Sequence, residues 1–208
     1  VGDFATAGVA VQITLDDSGA CKSAGVGLTN VGMTPIKATQ TESFLAGKQL
    51  DDATIRMSVI GAVLAVSYPF FKRFFPLPQF YLGVAFSWGV PMAFNAQNGT
   101  IPRVAWIIFF AGIIWAAVYD TMYAMVDRDD DLKIGVKSSA IVFGDMDKMI
   151  IGMLQGLMLF ALYLVGTNME FGYWYNAGLV GAAVFFVYQQ CLIRDRKPDG
   201  CFKPFLNN

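Results

Sequence analysis

The chain has 208 residues, 15 basic against 16 acidic side chains, a formal net charge of -1 at pH 7 and 55% apolar residues. A mean hydropathy of +0.49 excludes an ordinary soluble domain and makes a membrane protein the leading class. The balanced charge offers nucleic acid no basic field. The absence of histidine, and a cysteine set limited to Cys21, Cys191 and Cys201, disfavour imidazole bases, hydrolytic triads, zinc cages and a disulfide framework.

The first 56 residues read as water-soluble. Asp3, Asp16, Asp17, Glu42, Asp51 and Asp52 stand against Lys22, Lys37, Lys48 and Arg56, with no long apolar run. The alternating, β-branched stretch 9–15, the turn chemistry of Asp16-Asp17-Ser18-Gly19 and a returning stretch 24–29 predict a β-hairpin. Thr34-Pro35 breaks that pattern, and 38–45 has helical composition. Gly47 is placed to end that helix, and Asp51-Asp52 to open another. A small α+β segment over 1–55 follows. The chain opens Val1-Gly2-Asp3-Phe4, without a basic region and apolar run, so its start reads as the inside of a longer reading frame.

From Met57 the chain turns to long uncharged stretches, five of which are candidate membrane spans: 57–71, 79–97, 104–126, 149–166 and 171–193. A hydrocarbon core needs roughly 20 helical residues, so the first span is expected to borrow from 50–56. Lys and Arg alternate between the connecting loops. Lys72 and Arg73 follow the first span, Arg128, Lys133, Lys137 and Lys148 the third, and Arg194, Arg196, Lys197 and Lys203 the last, which places these segments in the cytoplasm. By the same parity residues 1–56 would lie outside. No internal repeat or low-complexity tract is present.

The chemistry-bearing stretch closes the third span. Asp127, Asp129, Asp130 and Asp131 fall within five positions. On a continuing helix Asp127 and Asp131 are i and i+4, with Asp120 two turns earlier on the same face. Such a face is either a solvated juxtamembrane run or a Mg²⁺ site that shares its cation with substrate phosphates. Asp120, interrupting an apolar span, points to function. Lys133 and Lys137, one helical turn apart, could meet phosphate oxygens or serve as membrane anchors. Lys72 and Arg73, on a short loop over 71–77, read as anchors, although the Arg73 guanidinium also suits a carboxylate or phosphate. Tyr68, Tyr81, Trp88 and Trp106 fit an aromatic interface belt or a stacking wall, and Pro76, Pro78 and Pro91 are candidate helix ends or kinks.

Residues 57–208 resemble the C-terminal half of a 4-hydroxybenzoate polyprenyltransferase of the UbiA type. The resemblance rests on Tyr68-Pro69-Phe70-Phe71-Lys72-Arg73, Leu77-Pro78-Gln79, Gly89-Val90-Pro91-Met92-Ala93-Phe94, the stretch from Tyr119 to Ser138, Tyr188-Gln189-Gln190 and Cys201-Phe202-Lys203. It implies a mainly α, multi-helix transmembrane bundle, part of a nine-helix fold with two aspartate-rich motifs facing a central cavity. In that reading Asp127 and Asp131 bind Mg²⁺ and polyprenyl diphosphate, and Asp120 lies on the approach. Arg73 holds the carboxylate of 4-hydroxybenzoate, while Lys72, Lys133, Lys137 and Tyr123 complete the substrate-binding set. The implied reaction joins the prenyl group to the ring carbon ortho to the hydroxyl, in ubiquinone synthesis at the bacterial inner membrane. The first aspartate motif has no counterpart before Met57, and the family's last span would follow Asn208. Low activity of this chain alone is therefore expected.

Residues 1–55 resemble part of the C-terminal domain of a carbon monoxide dehydrogenase medium (flavoprotein) subunit. The match rests on the stretches 8–15, 27–35 and 46–52. The flavin-binding portion of such subunits lies upstream of the matched domain, so no FAD site is expected. The alternative function is a redox-assembly piece of such a subunit. A join near residue 56, through gene fusion, assembly error or artifice, accounts for the two resemblances.

Overall fold

The computed structural model describes residues 8–29, 36–37, 39, 43, 46–47, 52–135 and 137–206. The chain divides into two compact units, Val1–Arg56 and Met57–Asn208. In the first, β1 (Gly8–Leu15) pairs antiparallel with β2 (Cys21–Thr29), and a two-residue β3 (Ile36–Lys37) adds to β2. Asp16 makes the connection. Its carboxylate accepts from the Ser18 amide at 2.9 Å, the Ser18 hydroxyl at 2.7 Å and the Ala20 amide at 3.0 Å. These bonds, the Ser18 hydroxyl first, hold the Asp16 carboxyl below its ordinary range. Of the helix expected over 38–45, Thr39 and Ser43 alone are among the described residues. Thr34-Pro35 lies outside them.

The chain passes into the second unit within α1 (Asp52–Phe74), whose 23 residues include the expected borrowing from the polar side of Met57. Then come α2 (Pro78–Ser87) and α3 (Gly89–Asn98), which replace the single span expected over 79–97. Pro91 gives the reason. It cannot donate to the Ser87 carbonyl and its ring crowds that group, so one helix closes at Ser87 and another opens at Gly89 with Pro91 in its first turn. Pro78 opens α2 in the same way, at a position where the missing N–H would be unpaired in any case.

The axis of the unit is α4 (Arg103–Val126), followed by α5 (Arg128–Ile134) and α6 (Ser139–Phe143). A 3₁₀ turn (Gly144–Met146) leads into α7 (Asp147–Asn168) and then α8 (Tyr173–Leu192). A second 3₁₀ turn (Ile193–Asp195) precedes α9 (Pro198–Leu206). Helix α4 packs against α2, α3, α7 and α9. Its Val118, Met122, Ala124 and Met125 form a core with Ala140, Ile151, Ile193 and Cys201.

Among the described residues three helical stretches are long and apolar enough to cross a membrane: Arg103–Val126, Ser139–Asn168 and Tyr173–Asp195. A shorter apolar stretch is Ile55–Tyr68. The sequence reading expects five spans; the α2/α3 break and the short apolar portion of α1 account for the difference. On α8, Val180, Val184 and Val187 point outward, as side chains facing lipid tails do.

Helices α2 and α4 touch at glycines. A Cβ on Gly83 would stand 2.7 Å from the Ile113 carbonyl oxygen and 2.9 Å from its Cα, and one on Gly112 would collide with the Ser87 side chain. Backbone cannot yield as a flexible side chain can. Gly83→Ala is therefore expected to destabilise the helical unit by about 1–3 kcal/mol. Gly178→Ala on α8, where nothing lies within 4 Å, should be neutral or slightly stabilising. Thermal unfolding in detergent micelles compares the two.

Candidate functional site

The site is built on the junction of α4 and α5. Helix α4 ends as Asp127 takes φ −90° and ψ 3°, and its amide reaches the Tyr123 carbonyl over a stretched 3.4 Å. The helical path then resumes, with the Asp131 amide donating to the Asp127 carbonyl at 2.8 Å. The expected one-turn relation between Asp127 and Asp131 thus survives a kink rather than a continuous helix. Asp120, Tyr123, Asp127 and Asp131 are all half-buried, whereas Asp129 and Asp130 are exposed.

Tyr123 lies one helical turn before Asp127 in α4. Its hydroxyl hydrogen-bonds the Asp127 carboxylate and feels the charges of Asp120 and Asp131. Asp120 also acts on Tyr119 and on Tyr68 of α1. Among the described residues no group of three or more cysteine or carboxylate side chains converges closely enough to cage a metal. Two hard carboxylates one turn apart have the donor chemistry that would suit a divalent cation such as Mg²⁺.

The basic residues are distributed differently from the expectation. Gly135, at φ +72°, ends α5 in the left-handed conformation, its amide on the Asp131 carbonyl. Lys133 and Lys137 consequently do not share a helix face. Lys133 donates to Asp130 at 2.7 Å, and that bond raises its pKa above the ordinary lysine value. Lys137 reaches the Phe74 carbonyl at 3.4 Å, at the end of α1. Lys72 and Arg73 belong to the last turn of α1 rather than a loop, because the helix runs on to Phe74; their side chains lie outside the described part.

A buried polar bridge fixes the neighbouring wall. Thr121 of α4 and Ser139 of α6 share a hydrogen bond of 2.7 Å, and the Gln79 side chain of α2 accepts from the Ser139 amide at 3.0 Å. All three residues are buried. Gln79→Met leaves the Ser139 amide unpaired and is expected to cost about 1–3 kcal/mol. Denaturation of the variant in micelles measures this.

The sequence reading misses the principal ion pair. Asp147, at the start of α7, is completely buried. Arg196 grips it with Nε at 3.1 and 2.9 Å from the two carboxylate oxygens and Nη2 at 2.7 Å from one of them. Arg196 Nη2 also donates to the Asp145 carbonyl at 2.7 Å. Nearby, burial and then the Asp147 charge push the Cys201 thiol up to about 11, against the opposing pull of Arg196. Cys201 is thus a neutral, unreactive thiol at pH 7. An open apolar cavity of about 450 Å³ between α7 and α8 includes Gln155 and Gln190, and lies apart from the carboxylates. Gln155 donates to buried Gln189 at 2.8 Å.

Three membrane-length helical stretches, one of them closing in the acidic junction at Asp127, mark a polytopic membrane protein. The model of the UbiA prenyltransferase family matches residues 42–208, and the chain belongs to that family. A second model, the CO dehydrogenase flavoprotein C-terminal domain, matches residues 1–65.

Proteins named 4-hydroxybenzoate octaprenyltransferase are close in sequence. That of Aeromonas salmonicida is 55% identical over 166 residues, covering 80% of this chain and 57% of the relative. That of Coxiella burnetii is 54% identical over 159 residues, covering 76% and 55%. That of Alkalilimnicola ehrlichii is 52% identical over 159 residues, covering 76% and 54%. The chain thus spans little more than half the length of these relatives. The apo structure of a UbiA homolog from Aeropyrum pernix K1 shares the fold, with a TM-score of 0.61 at 18% identity over 76% of this chain and 61% of that one.

Proposed function

We propose that the chain carries one half of a site that transfers a polyprenyl group from polyprenyl diphosphate to 4-hydroxybenzoate, ortho to the ring hydroxyl, in ubiquinone biosynthesis. The observation that supports this best is the half-buried acidic junction of α4 and α5, where the Asp131 amide closes one turn onto the Asp127 carbonyl. It occurs in a chain more than 50% identical to proteins named for that transfer.

In this reading Asp127 and Asp131 hold Mg²⁺, which neutralises charge on the departing diphosphate. Tyr123 orients the Asp127 carboxylate toward the shared site. Asp120 supplies negative potential to the same face, favouring an allylic cation as it forms. Arg73 takes the 4-hydroxybenzoate carboxylate by bidentate hydrogen bonds. Lys137, whose ammonium reaches the Phe74 carbonyl, adds positive charge at the end of α1. Lys133, held by Asp130, is the least available of the basic set. The ring carbon ortho to the electron-rich hydroxyl attacks the cation, and the ring proton then leaves to restore aromaticity. Apolar walls keep water from the cation.

Residues 56–208 form the prenyltransferase domain in this account, and 1–55 a separate α+β segment that takes no part in the transfer. The match over residues 1–65 favours a redox-protein origin for that segment. The α1 end, the α4–α5 junction and the C-terminal tail face the cytoplasm across a bacterial inner membrane, following the excess of basic residues there.

The test is incubation of purified chain with Mg²⁺, polyprenyl diphosphate and ring-labelled 4-hydroxybenzoate. Slow formation of the ortho-prenylated product is expected, well below the rate of a full-length relative. Asp127→Asn and Asp131→Asn should each remove it. Product formed equally by wild type and both variants contradicts the assignment.

A further inference from the structure

Helix α5 has seven residues, a kink before it and a left-handed glycine after it. At about 100° per residue, Asp127 and Asp131 project within about 40° of one another, while Arg128 and Asp129 point to a different side. The structure agrees: Arg128 and Asp129 line a hollow of about 220 Å³ with Met125, Asp147, Arg196 and Pro198, a lining that excludes Asp127 and Asp131.

Within that hollow Arg128 Nη1 lies 3.9 Å from Asp147 Oδ2. The Asp147 carboxylate is held on both oxygens: Arg196 grips each of them, and the Lys148 amide donates to Oδ1 at 2.6 Å. A fully buried anion attracts a second guanidinium far more strongly than an exposed one does. Three segments therefore converge on one carboxylate: α5 through Arg128, the start of α7, and the turn after α8 through Arg196, which also binds the Asp145 carbonyl of the 3₁₀ turn.

We infer that Asp147 is a positioning residue, which through Arg128 sets the roll of α5 and so keeps Asp127 and Asp131 turned toward Tyr123. This rests on the reading of Asp127 and Asp131 as cation ligands. Asp147 does not touch substrate in this account. It acts through Arg128, and Arg196 holds it in place.

The test uses the full chain in micelles and two readouts: amide hydrogen exchange, and binding of Mn²⁺ alone followed by electron paramagnetic resonance. Arg128→Gln leaves the Asp147–Arg196 pair intact. It is expected to speed exchange of amides 129–133 by about 10-fold or more and leave those of α7 and α9 unchanged. Mn²⁺ affinity should fall by about 10-fold, as when an outer support of a metal ligand is lost. Arg128→Lys, which keeps the charge, should recover most of both. Asp147→Asn should release the same amides while also lowering the thermal midpoint. If it does not fold, Arg128→Gln carries the decision. Exchange in α5 that is the same in wild type and Arg128→Gln overturns the inference. If the wild-type chain binds no Mn²⁺, the ligand reading fails, while the exchange result still decides whether Asp147 governs α5.

Discussion

A carboxylate carried into the interior of a helical bundle costs several kcal/mol unless cations and donors meet it. Asp147 meets that condition through Arg196, the Lys148 amide and, at longer range, Arg128. The groups that satisfy it come from opposite ends of the C-terminal half, so the corner after α8 and the start of α7 must close together for the charge to be buried at all. The acidic face on α4 and α5 is only half-buried, and Tyr123 hydrogen-bonds its Asp127 carboxylate. Asp147 is thus paired within the bundle, whereas under the proposed function the half-buried face is the one that meets a cation.

Much of this was legible in the sequence where the signal is local. The 104–126 run ends in charge, and α4 ends at Val126 with Asp127 as its C-terminal cap. The alternating stretch before Asp16 is β1, and the Asp16 side chain makes the turn its position suggested. Asp120, singled out as an ionisable group inside an apolar span, stands half-buried in α4.

Other features depended on partners that spacing does not reveal. Asp147 and Arg196 are 49 positions apart, and nothing local to either marks them as a pair. The α2/α3 break was present in Pro91, but a span counted by hydropathy ignores a missing N–H. Gly135 likewise separates Lys133 from Lys137, although their spacing of four residues suits a helix face. Gln79 sits at the edge of an apolar run like any interfacial amide, and only the fold brings it to the Ser139 amide. The two family matches, over 42–208 and 1–65, were carried by extended stretches of sequence rather than by the acidic motif alone.

The central claim is that Asp127 and Asp131 together present a divalent cation to a diphosphate. Calorimetric titration of inorganic pyrophosphate into the detergent-solubilised chain, with and without Mg²⁺, addresses it without requiring turnover. The account predicts Mg²⁺-dependent binding that weakens by about 10- to 100-fold when both aspartates become asparagine, the loss expected for charge-assisted contacts. Binding of equal strength in wild type and the double variant would contradict it.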